Sequence, residues 1–106
     1  MKKIEHIGIA VKNLEFSNNL FESLFGKPPY KQEEVASEAV KTSFFMTGTN
    51  KIELLEATNP ESAIAKFIEN KGEGIHHIAF EVDNIVSEIA RLNAEGFAII
   101  NEITKK

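Results

Sequence analysis

Residues Gly74–Ile85 read GIHHIAFEVDNI, with two of the chain's three histidines side by side in a run that alternates like a strand. The third histidine, His6, lies in IEHIGIAVKNL, residues 4–14, and that stretch repeats the pattern. Laid over residues 75–85, Ile4 meets Ile75, His6 meets His77, Ile7 meets Ile78, Val11 meets Val82 and Asn13 meets Asn84. Each copy runs into an amphipathic helix closed by glycine. In the first, Phe16, Leu20, Phe21, Leu24 and Phe25 form the predicted apolar face, and Gly26 ahead of Pro28-Pro29 stops it. In the second the stripe is Ile85, Ile89 and Leu92, and Gly96 stops it. Asn13, and Asp83 or Asn84, are suited to cap these helices. The chain therefore contains an internally repeated strand–helix unit, with a period too long for a solenoid.

Between the copies the pattern is mostly strand. Tyr30 to Val35 suits a polar edge strand, Val40 to Thr47 a second strand, Gly48-Thr49-Asn50 a hairpin turn, and Lys51 to Ala57 a third strand. Asn59-Pro60-Glu61 has the cap, proline and acid of a helix start, Ile64, Phe67 and Ile68 give that helix an apolar face, and Gly72 ends it. The predicted order is β-α-β-β-β, a linking helix, then β-α-β, with the last strand at Phe97 to Ile103. This is an α+β fold in one domain, residues 1–106. Its first βαβββ module spans 1–58, its linking helix 59–73 and its partial second module 74–106. A second module matching the first needs two more strands, so the chain is expected to be a shortened or partly observed form of something longer.

Bulk properties narrow the function classes. A 106-residue chain with 42% hydrophobic and 26% charged residues suits one soluble domain with a modest core. A formal charge of −4 argues against general nucleic-acid binding. No apolar run approaches a membrane span, and Met1-Lys2-Lys3 leads into an alternating strand, not a signal sequence. The absence of cysteine excludes disulfides and thiolate metal sites and fits a cytoplasmic location.

Strand alternation sorts the candidate chemistry. Ile7, Ile9 and Val11 face the helices, and His6, Gly8 and Ala10 face the other way. In the second copy His76, Ile78, Phe80 and Val82 take the helix side, and His77, Ala79 and Glu81 the opposite side. His6 and His77 thus occupy equivalent positions, each followed two residues later by a tiny side chain that leaves room for something to sit there. His76 reads as a partly buried structural residue. Glu53, on the face opposite Ile52 and Leu54, is a carboxylate among apolar neighbours, costly to bury unless paired or metal-bound. It could equally be an exposed strand carboxylate. Two imidazoles plus a carboxylate suit Co, Ni, Zn, Mn or Fe.

The repeated unit, with HIGIAV at residues 6–11 and HHIAFEVDNI at residues 76–85, resembles the vicinal oxygen chelate superfamily, which includes the glyoxalases, bleomycin resistance proteins and dioxygenases. Within it, NKIELLEATNPESAIAKFIENKGEGIHHIAFEVDNI, residues 50–85, is similar to the methylmalonyl-CoA epimerases. The resemblance implies a cup-shaped mixed sheet built from tandem modules. It implies metal ligands at His6, Glu53 and His77, and a divalent ion, with cobalt first and Mn, Ni, Zn or Fe as alternatives. It also implies an acyl-CoA thioester substrate, a place in propionate metabolism and a homodimer. The implied reaction inverts C2 of methylmalonyl-CoA by proton abstraction through a metal-stabilised enolate. The family's fourth ligand, a last-strand glutamate, falls beyond Lys106. The catalytic carboxylate is expected there too, because the third-strand position of a family glutamate is held by Thr42. The rival readings are a lactoylglutathione lyase of the glyoxalase I type and a non-catalytic, resistance-type small-molecule binder.

Overall fold

A computed structural model describes residues 3–96. The elements run β1 (Lys3–Ala10), α1 (Leu14–Phe25), β2 (Lys31–Val35), a 3-10 turn (Ala36–Glu38), β3 (Val40–Thr47), β4 (Asn50–Ala57), α2 (Ala63–Lys71), β5 (Gly74–Glu81) and α3 (Ile85–Ala94). This matches the expected order as far as α3. The strand expected at Phe97 to Ile103 lies outside the described residues. The strands form one mixed sheet in the order β2-β3-β4-β1-β5. β2–β3 and β3–β4 are antiparallel, and β1–β4 is parallel.

The described residues divide into two units, Ile4–Ala79 and a second one that holds Lys3 and residues 80–96. In the first unit both sheet faces are covered. On one, Val11, Leu14, Phe45 and Leu54 are buried, and Ile9, Phe21, Phe25 and Ile52 pack against them. On the other, Ala10, Val40, Leu55 and Ile64 are buried with Val35, Ala57, Phe67 and Ile68 around them. Ile9 and Val11 therefore meet α1 as their alternation predicts. The linking helix α2 instead covers the opposite face, the one that carries His6, Gly8 and Ala10.

Three sequence expectations need correction. The buried row of α1 is Leu14 and Ser17, with Phe21 and Phe25 packed alongside, whereas Phe16, Leu20 and Leu24 are 69%, 56% and 68% exposed. The apolar arc of α1 is wider than the strip of sheet beneath it, so only one of its two rows is used. Helix α2 begins at Ala63, capped by the Ser62 hydroxyl, which accepts from the Ala65 N–H at 3.1 Å. Asn59 instead closes a tight turn, its side chain accepting from the Glu61 N–H at 2.6 Å. Finally, Ile78 and Phe80 are 45% and 48% exposed and so are not packed as their first-copy counterparts are. β5 ends the described sheet and has a strand neighbour on one side only.

The predicted caps of the repeated helices hold. Asn13 accepts from the Phe16 N–H at 2.9 Å, and Asn84 accepts from the Ser87 N–H at 3.0 Å. In the second unit, Lys3 and Glu81 form an ion pair at 3.8 Å, and α3 has no fully buried residue.

Candidate metal centre

The sheet register brings the three candidate residues together. The parallel β1–β4 pairing sets Gly8 against Glu53 and His6 against Lys51, so His6 and Glu53 project from one face on neighbouring strands. β5 lies on the other side of β1 and brings His77 to the same place. His6 Nε2 and His77 Nε2 are 3.0 Å apart. Glu53 Oε1 is 3.4 Å from His6 Nε2 and 3.5 Å from His77 Nε2. The Glu53 side chain is only 14% exposed, so it is not the exposed strand carboxylate that its sequence context also allowed. A carboxylate withdrawn from water needs compensating charge or donors, and here two imidazoles face it.

This triangle fits a divalent ion. With ligand bonds of about 2.1 Å, adjacent ligands lie ~3.4 Å apart around a tetrahedral ion and ~3.0 Å apart around an octahedral one. The observed separations of 3.0, 3.4 and 3.5 Å span that range. Two imidazole nitrogens and one carboxylate oxygen are a donor set suited to a borderline divalent ion.

The space beside His6 is used differently from the sequence expectation. Gly8 does leave room on this face, but the His77 ring fills it. A Cβ at Gly8 would collide with His77 Cε1 and come within 2.6 Å of both its ring nitrogens. Gly8 is needed for the close approach of the β5 histidine to the β1 backbone.

Alternation along the strands also misses the outer partners. Glu5 Oε1 accepts from His6 Nδ1 at 2.7 Å, and Glu5 Oε2 accepts from Lys51 Nζ at 2.7 Å. The Lys51 bond, and then the His6 bond, hold the Glu5 carboxyl below its ordinary value. His76, which alternation sends away from His77, has its Nδ1 3.0 Å from His77 Nδ1. Its ring stands edge-on to Phe67 of α2, with centroids 5.0 Å apart. Burial first, and the neighbouring His77 second, push the His76 imidazole below its usual value, against the opposing pull of Glu53. In both pairs the atom reached is Nδ1, the ring nitrogen nearest the main chain, and adjacent side chains can meet there despite their opposite facing. The sequence signal was the position itself, since Glu5 and His76 are equivalent in the repeat. Thr42 is buried at 2% exposure and donates its hydroxyl to the Glu33 carbonyl at 3.4 Å.

A mixed five-stranded sheet with a two-histidine, one-carboxylate cluster on one face defines a class. Residues 5–106 match the glyoxalase/bleomycin resistance protein/dioxygenase superfamily. The chain belongs to that superfamily, and its sheet matches the vicinal oxygen chelate fold. The chain is 36% identical over 104 residues to the mitochondrial methylmalonyl-CoA epimerase of Dictyostelium discoideum, covering 97% of this chain and 63% of that one. A solved hypothetical protein of Bacillus halodurans superposes with a TM-score of 0.88 at 40% identity, over 94% of this chain and 72% of that one. A methylmalonyl-CoA epimerase variant of Streptomyces coelicolor, solved in complex with 2-nitronate-propionyl-CoA, superposes with a TM-score of 0.80 at 26% identity, over 96% and 75%. The chain thus spans less than two thirds of the Dictyostelium enzyme and about three quarters of the Streptomyces one.

Proposed function

We propose that the protein is a divalent-metal-dependent epimerase that interconverts the two C2 epimers of methylmalonyl-CoA. The observation that carries this reading is the triangle of His6 Nε2, His77 Nε2 and Glu53 Oε1, with sides of 3.0 to 3.5 Å, in a chain that resembles epimerases over nearly its whole length. In this reading these three residues would hold the ion, which when bound would supply Lewis acidity for the negative charge that develops on the substrate. Two neutral imidazoles and one carboxylate leave a divalent site with net positive charge, which suits an anionic substrate. Gly8 seats His77, and Glu53 is shielded from water, so both enter the reaction already in place. The C2 proton lies between a thioester and a carboxylate and is acidic for that reason. Its removal and return need a base and an acid tuned toward neutral pH. Thr42 has no carboxylate with which to serve as the base. The same reading makes the protein a cytoplasmic homodimer in propionate metabolism. No helix among the described residues is long and apolar enough to cross a membrane.

The test is hydrogen exchange at C2. The purified chain, loaded with cobalt, is incubated with one methylmalonyl-CoA epimer in deuterium oxide. Incorporation of one deuterium at C2 together with loss of stereochemical purity is expected. A cobalt-loaded protein that leaves C2 untouched overturns the assignment. If that protein isomerises a glutathione hemithioacetal instead, the lactoylglutathione lyase reading replaces it.

A further inference from the structure

We propose that the residue immediately before each matched histidine is the positioning residue of that histidine, Glu5 for His6 and His76 for His77. The proposal rests on the reading of His6 and His77 as metal ligands through Nε2. A histidine can offer Nε2 to an ion only if its proton sits on Nδ1, and the partner of Nδ1 decides that. Glu5 carries a carboxylate that only accepts, so the 2.7 Å contact places a proton on His6 Nδ1, and in the neutral ring Nε2 is then bare. Lys51, bonded to the other Glu5 oxygen at 2.7 Å, keeps the carboxylate charged and turned toward His6.

The rest of the chain of rings follows from that proton. Without an ion, the bare His6 Nε2 accepts from His77 Nε2–H across 3.0 Å. His77 Nδ1 is then bare and accepts from His76 Nδ1–H across 3.0 Å. For His77 to offer Nε2 to an ion, its proton must move to Nδ1 and be donated to His76 Nδ1, and the His76 proton must move to Nε2. No proton is gained or lost in this exchange, and only the proton positions change. Glu5 therefore fixes one ligand permanently, whereas His76 serves the other by exchanging donor and acceptor roles. Because Glu5 and His76 occupy the same place in the repeat, the duplication extends to the partners of its histidines.

Two measurements test this. In two-bond proton–nitrogen spectra of the imidazoles, the metal-free protein is expected to show His6 protonated on Nδ1 and His77 on Nε2. Zinc loading is expected to move the His76 proton to Nε2. Separately, cobalt affinity measured by chelator competition should fall about 10–100-fold in Glu5→Ala and in His76→Phe. Glu5→Gln should recover part of the loss, since the amide oxygen still accepts from Nδ1–H. A metal-free spectrum with the His6 proton on Nε2 overturns the proposal, as do folded Glu5→Ala and His76→Phe variants that hold cobalt as tightly as the unaltered protein. If the unaltered protein takes up no cobalt, the metal reading falls, and the metal-free spectrum still decides the partner assignment. Should Glu5→Ala fail to fold, Glu5→Gln and the spectrum of the unaltered protein carry the test.

Discussion

The two copies of the repeated unit place their histidines alike and support them differently. His6 lies on β1, an interior strand flanked by β4 and β5, and is held by a carboxylate that is itself held by Lys51. His77 lies on β5, which has one described strand neighbour, and is held by another imidazole and by the gap at Gly8. The apolar side differs in the same way. Ile9 packs into the core under α1, whereas its counterpart Phe80 is half exposed. The difference teaches that a duplicated pattern conserves facing along the strand, while the support of each side chain depends on what lies on either side of that strand.

The sharpest way to break the comparison is to delete one histidine at a time. If both copies supply a ligand, His6→Ala and His77→Ala should each abolish cobalt retention through gel filtration, measured by elemental analysis. A protein that keeps its cobalt after losing either ring would show that the copies are not equivalent in function. Next in size is Gly8→Ala. Its Cβ needs the space of the His77 ring, so the ring must swing out of the triangle. Cobalt affinity should fall by about 10²-fold, and crowding should cost about 1–3 kcal/mol of stability in a denaturant titration. An unchanged affinity would mean that His77 does not rest on β1. The smallest expected effect compares the two helices. Phe21→Ala in α1 removes a ring that packs against Phe45 and Phe25 and should cost about 2–3 kcal/mol. Ile89→Ala in α3, a helix with no fully buried residue, should cost under about 1 kcal/mol. Equal costs would show that the second-copy helix is packed as firmly as the first.

Much of the fold was legible because its signals are local. The asparagine caps at Asn13 and Asn84, the glycine stops at Gly26 and Gly72 and the Gly48 turn depend on a few neighbouring residues. The start of α2 was misread because Asn59-Pro60 and Ser62 both carry start signals, and only the chain's path chooses between them. The buried face of α1 was misread because five apolar residues fit one broad arc, and the sheet beneath selects which of them it covers.

The sequence by itself determined the repeat, the order of elements, the equivalent facing of His6 and His77 and the placing of Glu53 opposite Ile52 and Leu54, since alternation along a strand is a property of the chain alone. Only the tertiary structure decided that β1 lies between β4 and β5, which sets the three ligand atoms within 3.5 Å of one another. The same arrangement puts the His77 ring over Gly8 and Lys51 against Glu5. These contacts join residues separated by dozens of positions, and strand order and register, which no local pattern encodes, fix which of them meet.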